Sequence, residues 1–119
     1  MPSLVVCIRR KPELTLNEFD HHWKAVHGPL LRGCANFARH LRRYSQYHLS
    51  ELSGSTNSLF GNSGGFDGVA VLEFDTVDAM EAAFAEPDYL SQVKPDEKRF
   101  VDLENCLSFL TERFDVIVN

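Results

Sequence analysis

Apolar residues first cluster, then recur every third or fourth position, then alternate, and this change of period along the 119 residues describes one α+β domain spanning 1–119. Residues 3–9 are rich in branched aliphatics and read as a strand that stops at the Lys11-Pro12 turn. A helix begins at Thr15. Thr15 with Glu18 makes a capping box, and Leu14 and Phe19 stand where a hydrophobic staple would clamp it. Phe19, Trp23, Val26 and Leu30 continue one apolar face, with His22 and His27 on its flanks and His21 opposite. Gly28-Pro29 is expected to break the helix at His27 or shortly after, because the residue before a proline avoids the α region. Residues 30–41 read as irregular or helical chain returning to the sheet.

Residues 43–49 read as the second strand, with Tyr44, Gln46 and His48 on one face and Ser45, Tyr47 and Leu49 on the other. The Gly-, Ser- and Asn-rich residues 50–65 form a long loop, in which Phe60 is a candidate to plug a pocket or close a dimer contact. Residues 69–74 are a third strand that puts Asp67, Val69, Val71 and Glu73 on one face. Asp75 is expected to cap a second helix, with Asp78 in its first turn and Met80, Ala83 and Phe84 as its buried stripe. Residues 89–101 read as a charged helical stretch interrupted by Pro95, and residues 107–118 as the last strand.

The order β-α-β-β-α-β, with an extra helix before the last strand, is the ferredoxin-like plan. It leaves one face of an antiparallel four-stranded sheet without helices. Because Val, Phe, Leu and Tyr populate both faces, a second copy is expected to cover the open one, giving an obligate homodimer through the sheet face.

Composition narrows the partners. A formal net charge of -5, from 12 Lys+Arg against 17 Asp+Glu, repels phosphate backbones and anionic lipid, so neither nucleic acid nor membrane is expected as a partner. No stretch approaches the roughly 20 apolar residues of a membrane span, and the N-terminal apolar run is too short for a secretory leader, so a cytoplasmic location is expected. Cys7, Cys34 and Cys106 are an odd, scattered set that matches neither a disulfide framework nor a zinc site. His22 and His27 are five apart, not the four that aligns two ligands on an α-helix, so no metal site is expected.

Several blocks in order are similar to the EthD-like family: Arg10-Lys11-Pro12, Phe19 and Trp23, Val26-His27-Gly28-Pro29-Leu30, Arg42-Arg43-Tyr44 with His48, Phe66-Asp67-Gly68-Val69-Ala70, and Asp96-Glu97 with Phe100, Asp102 and Glu112. The resemblance implies a dimeric αβ barrel that handles small hydrophobic or aromatic molecules, with relatives that are isomerases, cyclases, dehydratases or decarboxylases working without metal or organic cofactor. It also implies that His27 and His48 are the site histidines. The third strand departs from the pattern, with Val71 and Glu73 where relatives often carry Glu and Trp.

Cofactor-free chemistry of that kind moves a proton beside a carbonyl or hydroxyl, which calls for a group titrating near neutrality in an apolar pocket. His27 is the leading candidate, with a helix C-terminus expected to favour its protonated ring. His48 shares a strand face with Tyr44 and Gln46, a polar row that fits a pocket wall, and Tyr44 is placed to donate to a developing oxyanion. Trp23, Tyr44, Phe60, Asp67, Glu73 and Phe100 are the expected substrate-binding residues, with Glu73 a further acid or base and Asp67 also fitting a turn. The expected activity is therefore that of a cofactor-independent lyase, dehydratase, isomerase or cyclase acting on a hydrophobic, aromatic or polyketide-like substrate. Two alternatives remain open: a non-catalytic binder of an apolar small molecule, and a haem-dependent monooxygenase.

Overall fold

The computed structural model describes residues 1–119. Strands β1 (Pro2–Ile8), β2 (Leu41–His48), β3 (Gly68–Phe74) and β4 (Leu107–Glu112) form one antiparallel sheet in the order β2-β3-β1-β4. The helical segments α1 (Leu16–His21), α2 (Gly28–Gly33), α3 (Ala35–Ala38), α5 (Val77–Phe84) and α6 (Lys94–Phe100) contribute Phe19, Leu31, Phe37, Ala83 and Phe100 to the core on one side of that sheet. A short helical turn, α4 (Asn57–Phe60), lies in the long loop. The capping box forms as the spacing requires: Glu18 N–H donates to Thr15 Oγ1 at 3.1 Å, and Thr15 N–H donates to Glu18 Oε1 at 2.9 Å.

Pairing register divides the sheet into two chemically different faces. The face toward the helices carries the rungs Tyr44-Leu72-Leu4-Leu110 and Gln46-Ala70-Val6-Ser108, with His48-Gly68-Ile8 at the end, although Ser108 and Leu110 on the edge strand stay exposed. The open face carries Ser45-Val71-Val5-Phe109 and Tyr47-Val69-Cys7-Leu107, followed by a polar rung, Arg43-Glu73-Ser3-Thr111. The side-chain period of two makes this division obligatory, because Ala70, Leu72 and Phe74 are buried under the helices and their neighbours must then face away.

The break expected at Gly28-Pro29 does not occur. Between α1 and α2 the chain stays helical through a widened π turn, His22–His27, closed by Gly28 N–H donating to the carbonyl of Trp23 five residues earlier. A proline in a tight α-helix strands one carbonyl and crowds another; the wider turn relieves both, so Pro29 sits in the first turn of α2. Pro95 is accommodated the same way. The π turn Tyr89–Val93 is closed by Lys94 N–H donating to the Tyr89 carbonyl, and α6 runs on to Phe100 without interruption.

The π turn also changes which side chains face inward. At α-helical spacing Val26 would join Phe19 and Trp23, yet Val26 is exposed and the buried series is Phe19, Trp23, His27, Leu31, at every fourth position. Three further differences concern ends and loops. Thr76, not Asp75, caps α5, its Oγ1 accepting from Ala79 N–H at 3.0 Å, while Asp75 pairs with Arg42. The last strand stops at Glu112, leaving Phe114, Val116, Ile117 and Val118 exposed beyond it. Phe60 is 97% exposed, so it plugs no pocket within the chain.

Candidate active site

Between the sheet and the helices lies a cavity of about 270 Å³, lined by 18 residues of which 15 are hydrophobic. Its apolar walls come from Leu4, Val6, Ala70 and Leu72 of the sheet and from Trp23, Leu31, Phe37, Phe84 and Phe100 of the helices. The polar exceptions are three, His27, Glu97 and Ser108, joined by the hydroxyls of Tyr44 and Tyr89. A small number of polar groups in an otherwise oily hollow is the general form of a small-molecule site.

His27 is buried, at 4% exposure, and its Nδ1 lies 2.8 Å from Asp96 Oδ2. Asp96, from α6, is itself 1% exposed and gathers three donors: His27, His22 Nε2 at 3.0 Å and Arg99 Nη1 at 3.2 Å. Burial pushes the Asp96 carboxyl up, but these bonds outweigh it and hold the group below its ordinary value. Asp96 is therefore ionised and accepts only, so the Nδ1–H of His27 donates to it. Burial lowers the His27 pKa, against the opposing pull of Asp96, and the ring is neutral at pH 7. This reverses the expectation of a ring charged by a helix end, because the helix does not end there.

The five-residue spacing of His22 and His27, unsuitable on an α-helix, aligns both rings on Asp96 across the π turn. No group of three or more His, Cys, Asp or Glu side chains is arranged to hold a metal ion.

Glu97, which entered the sequence reading only as part of a family block, carries the most displaced carboxyl. Burial raises its pKa to about 7, partly opposed by the hydrogen bond from the Tyr89 hydroxyl, which lies 3.0 Å from Oε2. Tyr89 in turn is pushed up by burial and by the Glu97 charge. The visible signal was there: Val93, Asp96, Glu97 and Phe100 follow the i, i+3, i+4, i+7 pattern of a buried helix stripe, with two carboxylates inside it.

The other expected site residues divide. Trp23, Tyr44 and Phe100 line the cavity with His27. Trp23 Nε1–H donates to the Tyr44 hydroxyl at 3.1 Å, and Gln46 Nε2–H donates to the Trp23 carbonyl at 2.8 Å, so β2 grips the π turn from below. Gly68 makes room for this ring, since a Cβ there would lie 2.5 Å from Trp23 Cζ3. His48 does not reach the cavity: its ring packs against Trp23, centroids 4.4 Å apart and planes tilted by 40°, and binds Asp20 Oδ1 and Gln46 Oε1, each at 2.9 Å. Glu73 lies on the open face beside Arg43 and Arg113 rather than near any histidine. Asp67 is a turn residue, accepting from Arg10 N–H at 2.8 Å and pairing with the Arg10 guanidinium.

The Glu97 shift fixes the sign of one pH effect. Its folded pKa of about 7 exceeds the ordinary 4.5, so the folded state holds the proton more tightly and stability falls as pH rises through that window. Glu97→Gln keeps an acceptor for Tyr89 and removes the titration. Relative to the variant, the native chain is expected to lose about 2 kcal/mol between pH 5 and pH 8. Urea unfolding of both proteins at the two pH values measures this, and parallel pH profiles would refute the placement of Glu97. The His27 contribution runs the other way, being lost as pH falls below 6.5, but it is common to both proteins and cancels in the comparison.

Comparison with known proteins places this architecture. The EthD domain family matches residues 11–104. This chain belongs to the EthD family. No curated protein matches the sequence. Among solved structures, an ethyl tert-butyl ether D (EthD) family protein of Bacillus halodurans superposes with a TM-score of 0.67 at 18% identity, covering 96% of this chain and 100% of its own. A dimeric ferredoxin-like protein of unknown function from Thermobifida fusca gives 0.63 at 13% identity, covering 92% of this chain and 88% of its own. A protein described as an antibiotic biosynthesis monooxygenase gives 0.56 at 14% identity, covering 97% of this EthD-family chain and 100% of its own. At such identities these likenesses establish the ferredoxin-like α+β fold alone. No helix of the EthD-family chain is long and apolar enough to cross a membrane.

Proposed function

We propose that this EthD-family chain is a homodimeric, cofactor-independent enzyme that moves a proton on a small apolar molecule, in a lyase, dehydratase, isomerase or cyclase reaction. One observation carries the reading: a neutral histidine, anchored by an ionised aspartate, and a glutamic acid titrating at about 7 line the same apolar cavity. With Nδ1–H committed to Asp96, Nε2 of His27 carries the lone pair and acts as the base toward a proton beside a carbonyl. Glu97, about half protonated near pH 7, serves as the acid that returns it. The Tyr44 hydroxyl accepts from Trp23 and so keeps its own proton for a developing oxyanion. His48 has no part in this scheme except through Trp23.

The homodimer rests on the open sheet face. Its two apolar rungs include Phe109 and Leu107, each 52% exposed, and Tyr47, 60% exposed, which form a contiguous hydrophobic surface. The dimeric description of the Thermobifida fusca neighbour supports the same association.

The test is exchange of α-protons in deuterated water, followed by NMR, with 2-tetralone as a small apolar ketone. The native protein is expected to accelerate exchange, and His27→Ala to reduce that acceleration by about 10²–10⁴-fold. Unchanged exchange in His27→Ala would remove His27 from the role. Binding of the ketone without any acceleration favours instead a carrier, for which the oily lining is equally suited.

A further inference from the structure

A second hollow, about 420 Å³, opens on the outer side of the cavity wall, between β2 and the segment from the first π turn to α3. Its chemistry is the opposite of the cavity's. Four cations, Lys24, Arg32, Arg42 and Arg43, line it, and no Asp or Glu does. In a chain of net charge -5 this concentration of positive charge is the exception.

Two of the four cations are already engaged. Arg42 is paired bidentately with Asp75, at 2.7 and 2.5 Å, and Arg43 lies 3.7 Å from Glu73. Lys24 and Arg32 have no carboxylate within salt-bridge distance. The π turn and α2 hold them at the rim, where neither carries a structural bond that would explain it.

The groove and the cavity are neighbours. Leu31, Phe37 and Tyr44 line both, so three side chains form the partition between a cationic compartment and an oily one. A molecule extending past that partition would place an anionic end beside Lys24 and Arg32 and an apolar body against Trp23 and Phe100.

We propose that the ligand of this protein is an apolar carboxylate, its charged group held in the basic groove and its hydrocarbon body in the cavity. This deepens the reading of the cavity as a small-molecule site and rests on it. A carboxylate also fits the rest of the surface: the net negative charge of the chain leaves this groove as the place where an anion is attracted rather than repelled. Arg32 offers a planar fork suited to two carboxylate oxygens, with Lys24 as a point charge beside it.

Trp23 is the only tryptophan and lines the cavity, so its fluorescence reports occupancy directly. Decanoate and decan-1-ol, matched in length and differing at the charged end, are titrated into the native protein and into Lys24→Ala/Arg32→Ala. Both substituted residues are exposed, so the fold is retained. Decanoate is expected to bind the native protein about tenfold more tightly than decanol, and the double variant to lose that preference while its decanol affinity stays the same. Added salt is expected to erode the preference in the native protein alone. Decanol binding with no preference for decanoate, or a preference that survives in the double variant, overturns the carboxylate assignment and leaves the cavity reading intact. Failure of both probes to bind the native protein overturns the two together.

Discussion

Alanine in place of Asp96 is expected to cost about 3–5 kcal/mol of folding stability, the largest single effect available in the site. The side chain is 1% exposed and answers three donors at once. Removing it leaves the buried His27 and the partly exposed His22 without their acceptor, and frees Arg99 at the rim. Asp96→Asn keeps one acceptor oxygen and is expected to fold with a smaller loss. In that variant the raising influence of Asp96 on His27 disappears, so the ring should titrate lower still, as read by NMR of its ring protons. Stability within 1 kcal/mol of native for Asp96→Ala, by urea unfolding, would show that Asp96 is not the anchor of the site.

Aspartate at position 71 is the second. Val71 sits mid-strand in β3, flanked in its rung by Ser45 and Val5, at the centre of the open face. A two-fold interface would bring the same substitution in from both copies, so two carboxylates would be desolvated without partners. The dissociation constant is expected to rise by at least about a thousandfold, leaving a monomer at micromolar concentrations. Sedimentation velocity measures it. A Val71→Asp protein that sediments as the native one does would remove this face from the interface.

What the sequence made legible follows the strength of its local signals. The capping box at Thr15 and Glu18 and the alternation along β2 and β3 are short-range and self-contained, and each formed as spacing requires. Trp23 and Tyr44, expected as substrate-binding residues, both line the cavity, because a large aromatic on a helix stripe and a tyrosine on the covered strand face point into it. The helices around His27 and Glu97 were harder. Proline is a strong local signal for a break, and here packing of Trp23 and Leu31 into the core overrides it by widening the turn. Once the turn is widened, α-helical spacing puts Val26 inside and His27 on the flank, where the structure exposes Val26 and buries His27. His27 and Asp96 then meet, although His27, the leading candidate, stood on the flank of its helix's apolar face and Asp96 belonged only to a family block. Glu73 failed for a different reason. Either face of β3 satisfies alternation, and only the identity of the covering helices decides which is inside.

The widened turns have a further consequence for how this chain should be aligned with its relatives. Each is equivalent to one residue inserted into a helix, and the insertion rotates all that follows by about 100°. A relative with an ordinary turn at the corresponding place would need a gap within residues 22–27 for its core positions to superpose. Matching it to His27 by column alone would equate an inward imidazole with a side chain pointing elsewhere. Homology at this position is a matter of helical phase as much as of residue identity.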